Sequence, residues 1–256
     1  MKFLNAQTKS VSFASLILAG SYLLSALLGV LRDHLLTGKL ATSNLDVYYS
    51  AFTIPDFIAL ILIFGAISAA IIPIFSSHLV KSKTEAWHYI NNLLNIFLTF
   101  LIIVCVILII FAPLVVAVIA PGFSPDKKDM TVTLMRILFL SPIILGTSSI
   151  VSGILQVFHR FLVTALAPIM YNLGIIIGII FFVPHFGLRG LAYGVVLGAL
   201  LHLCIQLPAF LHSGFAYKLT FNLKDVSVQK TFKLMVPRSL GLGAGQFNTI
   251  VITAIA

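Results

Sequence analysis

Seven stretches of this chain are each long and apolar enough to cross a bilayer, and that succession limits the fold more than any other feature. They run from Val11 to Leu31, Val47 to Phe75, Tyr89 to Ala120, Met130 to Phe158, Phe161 to Val183, Leu188 to Leu211 and Leu234 to Ala256. A helix needs about 20 consecutive apolar residues to span the hydrocarbon core. Six windows read as complete spans and the seventh stops with the chain. A composition of 60% hydrophobic and 9% charged residues leaves too little polar surface to clothe a water-soluble globule. Barrel strands would be about 10 residues long with alternating polarity, whereas Asn95 to Ile119 is almost unbroken in its apolar character. The expected class is therefore all-α, a polytopic integral membrane protein. Lys2 and Lys9 precede an apolar run too long for the h-region of a signal peptide and without a convincing cleavage site, so the first span is expected to stay.

The basic residues orient the spans. With the amino terminus in the cytoplasm, the cytoplasmic segments hold Lys2, Lys9, Lys81, Lys83, Arg160, Lys218, Lys224, Lys230 and Lys233, against Arg32, Lys39, Lys127, Lys128 and Arg189 on the other face. The positive-inside rule favours that orientation. Arg136 and Arg160 are expected to snorkel to opposite surfaces. The net charge of +9 is scattered among membrane loops instead of clustered on one face, which points to anionic lipid headgroups as partners and away from nucleic acid. Residues 213–233 carry four Lys among interleaved apolar residues, a linker that fits either the inner leaflet surface or water. Cys105 and Cys204 lie mid-span as small hydrophobes. No metal-ligand spacing appears, and there is no nucleophile elbow, Walker loop or zincin motif, so neither a metal, a cofactor nor catalysis is expected.

What remains is polarity inside the membrane, which by default marks a functional path. Arg32 and Asp33 close the first span, just after Gly29; Asp46 opens the second, and Pro55, Asp56, Gly65 and Pro73 interrupt it. Each has an ordinary explanation: a neutral pair at the membrane surface, or an acid capping a helix start. Together they describe a broken helix, the kind of irregular backbone that transporters tolerate where it lines a cavity. The second span is the expected cavity wall.

Those residues carry a resemblance. Ser25-Ala-Leu-Leu-Gly-Val-Leu-Arg-Asp33, Ala41-Thr-Ser-Asn-Leu-Asp46, Ala51-Phe-Thr-Ile-Pro55, Gly65-Ala-Ile-Ser68 and Pro73-Ile-Phe75 resemble the opening of the MurJ (MviN) lipid II flippases. Ala120-Pro-Gly-Phe123, Gly153 to Phe161, and Ala167-Pro168 with Asn172 fall where that family has similar elements. The resemblance implies the two-lobed fold of the multidrug/oligosaccharidyl-lipid/polysaccharide exporter superfamily. Here it would supply a six-helix amino-terminal lobe (1–212), a cytoplasmic linker (213–233) and the first helix of the second lobe (234–256). It implies transport of lipid II, or a similar undecaprenyl diphosphate-linked glycan, across the bacterial cytoplasmic membrane. Arg32, Asp33, Asp46 and Arg238 would bind that cargo, with Gly29, Pro55, Asp56 and Gly65 as hinge or cavity lining.

The sequence also departs from the family pattern. Ala26 stands where the family has the first Arg of its opening motif, Ala59 and Leu60 where it has an Arg pair, and Phe64 where it has a Glu. The chain ends inside an apolar run, which reads as a piece of a longer protein whose second lobe, or a homodimer partner, completes the cavity. An exporter of another polyprenyl-linked glycan or of a small molecule, and a non-transporting membrane scaffold, stand as alternatives.

Overall fold

The computed structural model describes residues 11–61 and 70–255, and every element in it is helical, with no strand among the described residues. Helix α1 (Val11–Lys39) runs 29 residues without a break, about 44 Å at 1.5 Å per residue and longer than the hydrocarbon core is thick. It leads into α2 (Thr42–Ala59), which continues through Pro55. The chain is in π-helical turns at Leu60–Ile61 and Ala70–Ile71, on either side of 62–69, and resumes as α3 (Ile72–Lys81) with Pro73 in its first turn. Of the expected second span the described parts are α2 and α3, and its Gly65 lies outside the described residues.

Proline sets the next breaks. Helix α4 (Lys83–Ile110) starts under a Ser82 cap, whose hydroxyl accepts from the Thr84 and Glu85 amides. It yields to α5 (Ala112–Ile119), where Pro113 occupies the first turn. Pro125 opens α6 (Pro125–Leu138), and a jog at Phe139 passes into α7 (Leu140–Val157). Helix α8 (Phe161–Ile177) widens into a π turn at Gly178–Phe182 before the short α9 (Val183–Phe186). Gly187 then turns the chain with φ 57°, a left-handed conformation that glycine adopts at little cost. Helices α10 (Leu188–Cys204) and α11 (Leu207–His212) follow, then a segment that is neither helix nor strand and α12 (Val226–Ile255).

Among the described residues five continuous helical runs are long and apolar enough to span a membrane: Ser12–Lys39, Lys83–Ile110, Pro125–Val157, Phe161–Phe186 and Leu188–His212. They match the expected first, third, fourth, fifth and sixth spans. Helix α12 begins at Val226 and not near Leu234. Asp225 caps it, its Oδ1 accepting from the Ser227 and Val228 amides at 2.8 and 3.2 Å, a start signal that hydropathy does not register.

The tightest packing is between α8 and α10. A Cβ on Gly174 would lie 2.3 Å from the Gly198 Cα, and one on Gly178 2.4 Å from the Gly194 Cα, so the two backbones touch where side chains would hold them apart. Helix α1 rests mainly on α8 and leaves Leu16, Leu27 and Val30 about two-thirds exposed, a surface suited to lipid or to another helix. At the other side, Trp87 of α4 stacks on Phe158 and meets Phe210 and Phe215 edge-on. This aromatic knot closes the bundle beside the α7–α8 turn.

Candidate functional site: an intramembrane arginine layer

Arg32 is the centre of a polar layer that α1, α2, α7 and α8 build together. Its Nε donates to Asp33 Oδ1 at 2.9 Å, and its Nη1 donates to Asn172 Oδ1 of α8 at 3.2 Å. Asn172 spends its Nδ2 on the Ser25 hydroxyl (3.0 Å), the Ser25 carbonyl (3.2 Å) and the Pro168 carbonyl (3.3 Å). The amide is thereby oriented: its nitrogen faces α1 one helical stretch below the arginine, and its oxygen faces the guanidinium. Tyr48 and Asp56 of α2, and Tyr171 of α8, lie within electrostatic reach of this charge. Tyr171 also lies close to Ser141 at the start of α7.

The charge count within the layer is one guanidinium against two carboxylates. A guanidinium at the centre of a membrane helix costs about 2.5 to 3.5 kcal/mol on insertion scales and less toward a helix end, where Arg32 lies, and the Asp33 pair with the Asn172 bond offsets part of that cost. Neither partner seals it: the Arg32 side chain is 28% exposed and that of Asp33 54%. Arg32 therefore keeps donors for a further anion, and the arrangement can bind one through the planar fork that suits phosphate oxygens.

Not every expected residue joins. Pro55 is buried beside Asp56, and α2 stays helical through it. Gly29 lies in unbroken helix one turn before Arg32, with open space where its Cβ would be. Asp46 sits away from the layer at the start of α2, 3.9 Å from Lys127 at the start of α6, both partly exposed. Arg238 is exposed on α12 and is not among the described partners of the layer. Arg136 is exposed and donates to the Ile109 carbonyl near the α4–α5 break. Arg160, expected at a surface, is instead 6% exposed and donates to the Ala209 carbonyl. The tight α7–α8 turn, with His159 at φ 57°, folds its side chain inward under α11.

Sequence reasoning on its own did not single out Tyr48, Ser141 or Tyr171, and it gave Asn172 no role. The available signal was an amide in an otherwise apolar span, a buried polar group that needs a partner. Among the described residues no set of three or more His, Cys, Asp or Glu is placed to hold a metal. Cys105 and Cys204 are free thiols, the first buried and the second exposed. A cavity of about 370 Å³ lies elsewhere, at the junction of α3, α4 and α12, lined by His78, Thr84, Glu85, His88, Tyr89 and Asp225.

Comparison with known proteins agrees with this fold. The family model described as lipid II flippase MurJ matches residues 40–256. Among relatives carrying the MurJ name, that of Rhizobium tropici is 28% identical over 248 residues, covering 93% of this chain and 46% of its own length. The lipid II flippase MurJ of Burkholderia cenocepacia is 27% identical, with 95% of this chain and 49% of its own length covered. A solved MurJ lipid II flippase in an inward-closed conformation superposes with a TM-score of 0.78 at 24% identity, over 94% of this chain and 50% of that one. A MATE transporter superposes at 0.66 and 18% identity, over 93% and 55%; at these identities both structures speak to fold alone. The chain spans about half the length of the relatives it matches. With its motif series, its helical architecture and a family match from Leu40 onward all in agreement, this chain belongs to the MurJ family of lipid II flippases.

Proposed function

We propose that this chain forms the amino-terminal lobe of a lipid II flippase. The cargo is an undecaprenyl diphosphate-linked peptidoglycan precursor, carried from the cytoplasmic to the outer leaflet by alternating access during cell wall synthesis. The amino terminus lies in the cytoplasm, and the facing wall of the cavity comes from a second lobe or a second copy of this chain. One observation carries the reading: a partly exposed arginine near the end of the first membrane helix, held by Asp33 and Asn172 with donors to spare, in a chain of a flippase family. Arg32 would take the diphosphate oxygens, while Asp33 fixes the guanidinium plane and Asp56 limits how strongly the anion is retained. A flippase needs such moderation, because cargo must leave as readily as it enters. Capture and release of the cargo in this reading involve no bond chemistry, which is the role of a transporter.

A second reading, export of another polyprenyl-linked glycan, is favoured by one feature. Ala26, Ala59 and Leu60 put apolar side chains where the family motif has arginines, and the layer holds two carboxylates for its single cation. Capture of lipid II and of the same lipid diphosphate with other sugars, by the purified protein in nanodiscs, separates the two. Tightest capture of lipid II, lost on Arg32→Gln, supports the first. Equal capture of every glycan supports the second, and capture indifferent to Arg32 overturns both.

A further inference from the structure

The segment between α11 and α12 has a register that the flippase reading does not use. Residues 215–222 form neither helix nor strand, and three buried amides of α4 hold them in a two-residue register like that of extended backbone. Asn91 donates to the Ala216 carbonyl and accepts from the Lys218 amide. Asn95 donates to the carbonyls of Lys218 and Thr220. Asn92 accepts from the Asn222 amide at 2.7 Å and donates to the Asn222 carbonyl at 3.0 Å. Every one of these main-chain bonds comes from an even-numbered residue. In extended backbone, successive residues point their main-chain groups to opposite edges, and alternate side chains share a face. The even edge is thus satisfied by α4. The main-chain groups of Tyr217, Leu219 and Phe221 have no hydrogen-bond partner among the described residues.

Tyr217, 64% exposed, ties its hydroxyl to Asn95 Oδ1 of α4 at 2.8 Å; beyond it the odd-numbered side chains form an apolar ridge in the open, with Leu219 82%, Phe221 54% and Leu223 61% exposed and Val226 at 77% just past them. Lys218, Lys224, Lys230 and Lys233 stand exposed around it. The nearest acid, Asp225, is committed to capping α12. A fixed strip of this kind has two needs, apolar cover for the ridge and polar partners for its free edge. Bulk water fails the first and the hydrocarbon core fails the second. The headgroup layer of a bilayer meets both, and the lysines select an anionic one.

We propose that residues 217–226 are a built anchor for anionic phospholipid. Leu219, Phe221 and Leu223 dip into the acyl boundary, the free main-chain edge lies among headgroups, and Lys218, Lys224 and Lys230 contact the phosphates. The asparagines of α4 hold the strip at that depth, so it registers the linker against the bilayer while the cargo site works elsewhere. The inference does not depend on what the protein carries.

The test uses nitroxide labels on single cysteines at positions 218 to 224, in protein with Cys105 and Cys204 replaced by serine, reconstituted in phosphatidylethanolamine–phosphatidylglycerol nanodiscs. The expected result is alternation: labels at 219, 221 and 223 relax faster with oxygen than with a water-soluble nickel chelate, and labels at 218 and 224 show the reverse. Uniform access to the chelate makes the segment a solvated loop and overturns the anchor. Shielding from both reagents means protein covers the ridge, and also overturns it. Combining Lys218→Gln, Lys224→Gln and Lys230→Gln is expected to lower preference for phosphatidylglycerol over phosphatidylcholine by about fivefold per lysine; an unchanged preference overturns the assignment to anionic lipid.

Discussion

Asparagine is used in two opposite ways in this molecule. On α4, Asn91, Asn92 and Asn95 are all buried and bonded to main chain at 2.7 to 3.1 Å, with one longer contact from Asn92 to the Asp225 carboxylate at 3.5 Å. On α8, Asn172 bonds an arginine at 3.2 Å in a layer that stays partly open and holds three formal charges. A closed, satisfied amide network fixes one structure. An open one that includes a charge with spare donors leaves work for a ligand. Burial of polar groups in a membrane bundle thus does not by itself mark a site; incomplete satisfaction around a charge does.

The comparison can be broken at either end. The largest expected effect is on stability. Asn95→Leu removes two bonds to the linker carbonyls and one from the Tyr217 hydroxyl, so it should destabilise by roughly 3 kcal/mol at about 1 kcal/mol per bond. Thermal unfolding in detergent and protease cutting within 213–225 would register this, with lipid capture by the surviving folded fraction unchanged. Next comes Arg32→Gln, expected to weaken lipid diphosphate capture by roughly 2 kcal/mol, about 30-fold in Kd, with little change in melting. Asn172→Leu removes only the amide that positions Arg32. It should cost about 1 kcal/mol of capture, or fivefold, and broaden the orientation of a bound phosphate as seen by solid-state ³¹P NMR. The smallest effect belongs to Asp46→Asn: a partly exposed pair 3.9 Å apart contributes on the order of 0.5 kcal/mol, so melting and capture should both stay close to wild type.

The sequence carried the parts of this account that depend on local pattern. Apolar runs located five of the spans, but hydropathy did not divide the third at Phe111, where Pro113 opens a new helix, or place the start of the fourth at Pro125. Arg32 and Asp33 stood out because charge in such a run needs a reason. What pairs with Arg32 did not stand out, because Asn172 lies 140 positions away and its role exists only once α1 lies on α8. The clamp on the linker was half visible. Residues 91, 92 and 95 share one side of a helix, and three amides there cannot face lipid unpaired; their partners, being main chain, leave no mark in side-chain chemistry. Arg160 shows the limit of a hydropathy reading. A basic residue beside a span ordinarily snorkels, and only the backbone turn at His159 brings it inside.

The most direct measurement crosses the two networks: lipid II capture and melting temperature recorded side by side for wild type, Arg32→Gln and Asn95→Leu in the same nanodiscs. Capture should fall about 30-fold for Arg32→Gln alone, and melting temperature should fall for Asn95→Leu alone. Loss of capture in Asn95→Leu protein that is still folded, or full capture by Arg32→Gln, would contradict the division between a structural and a functional amide network.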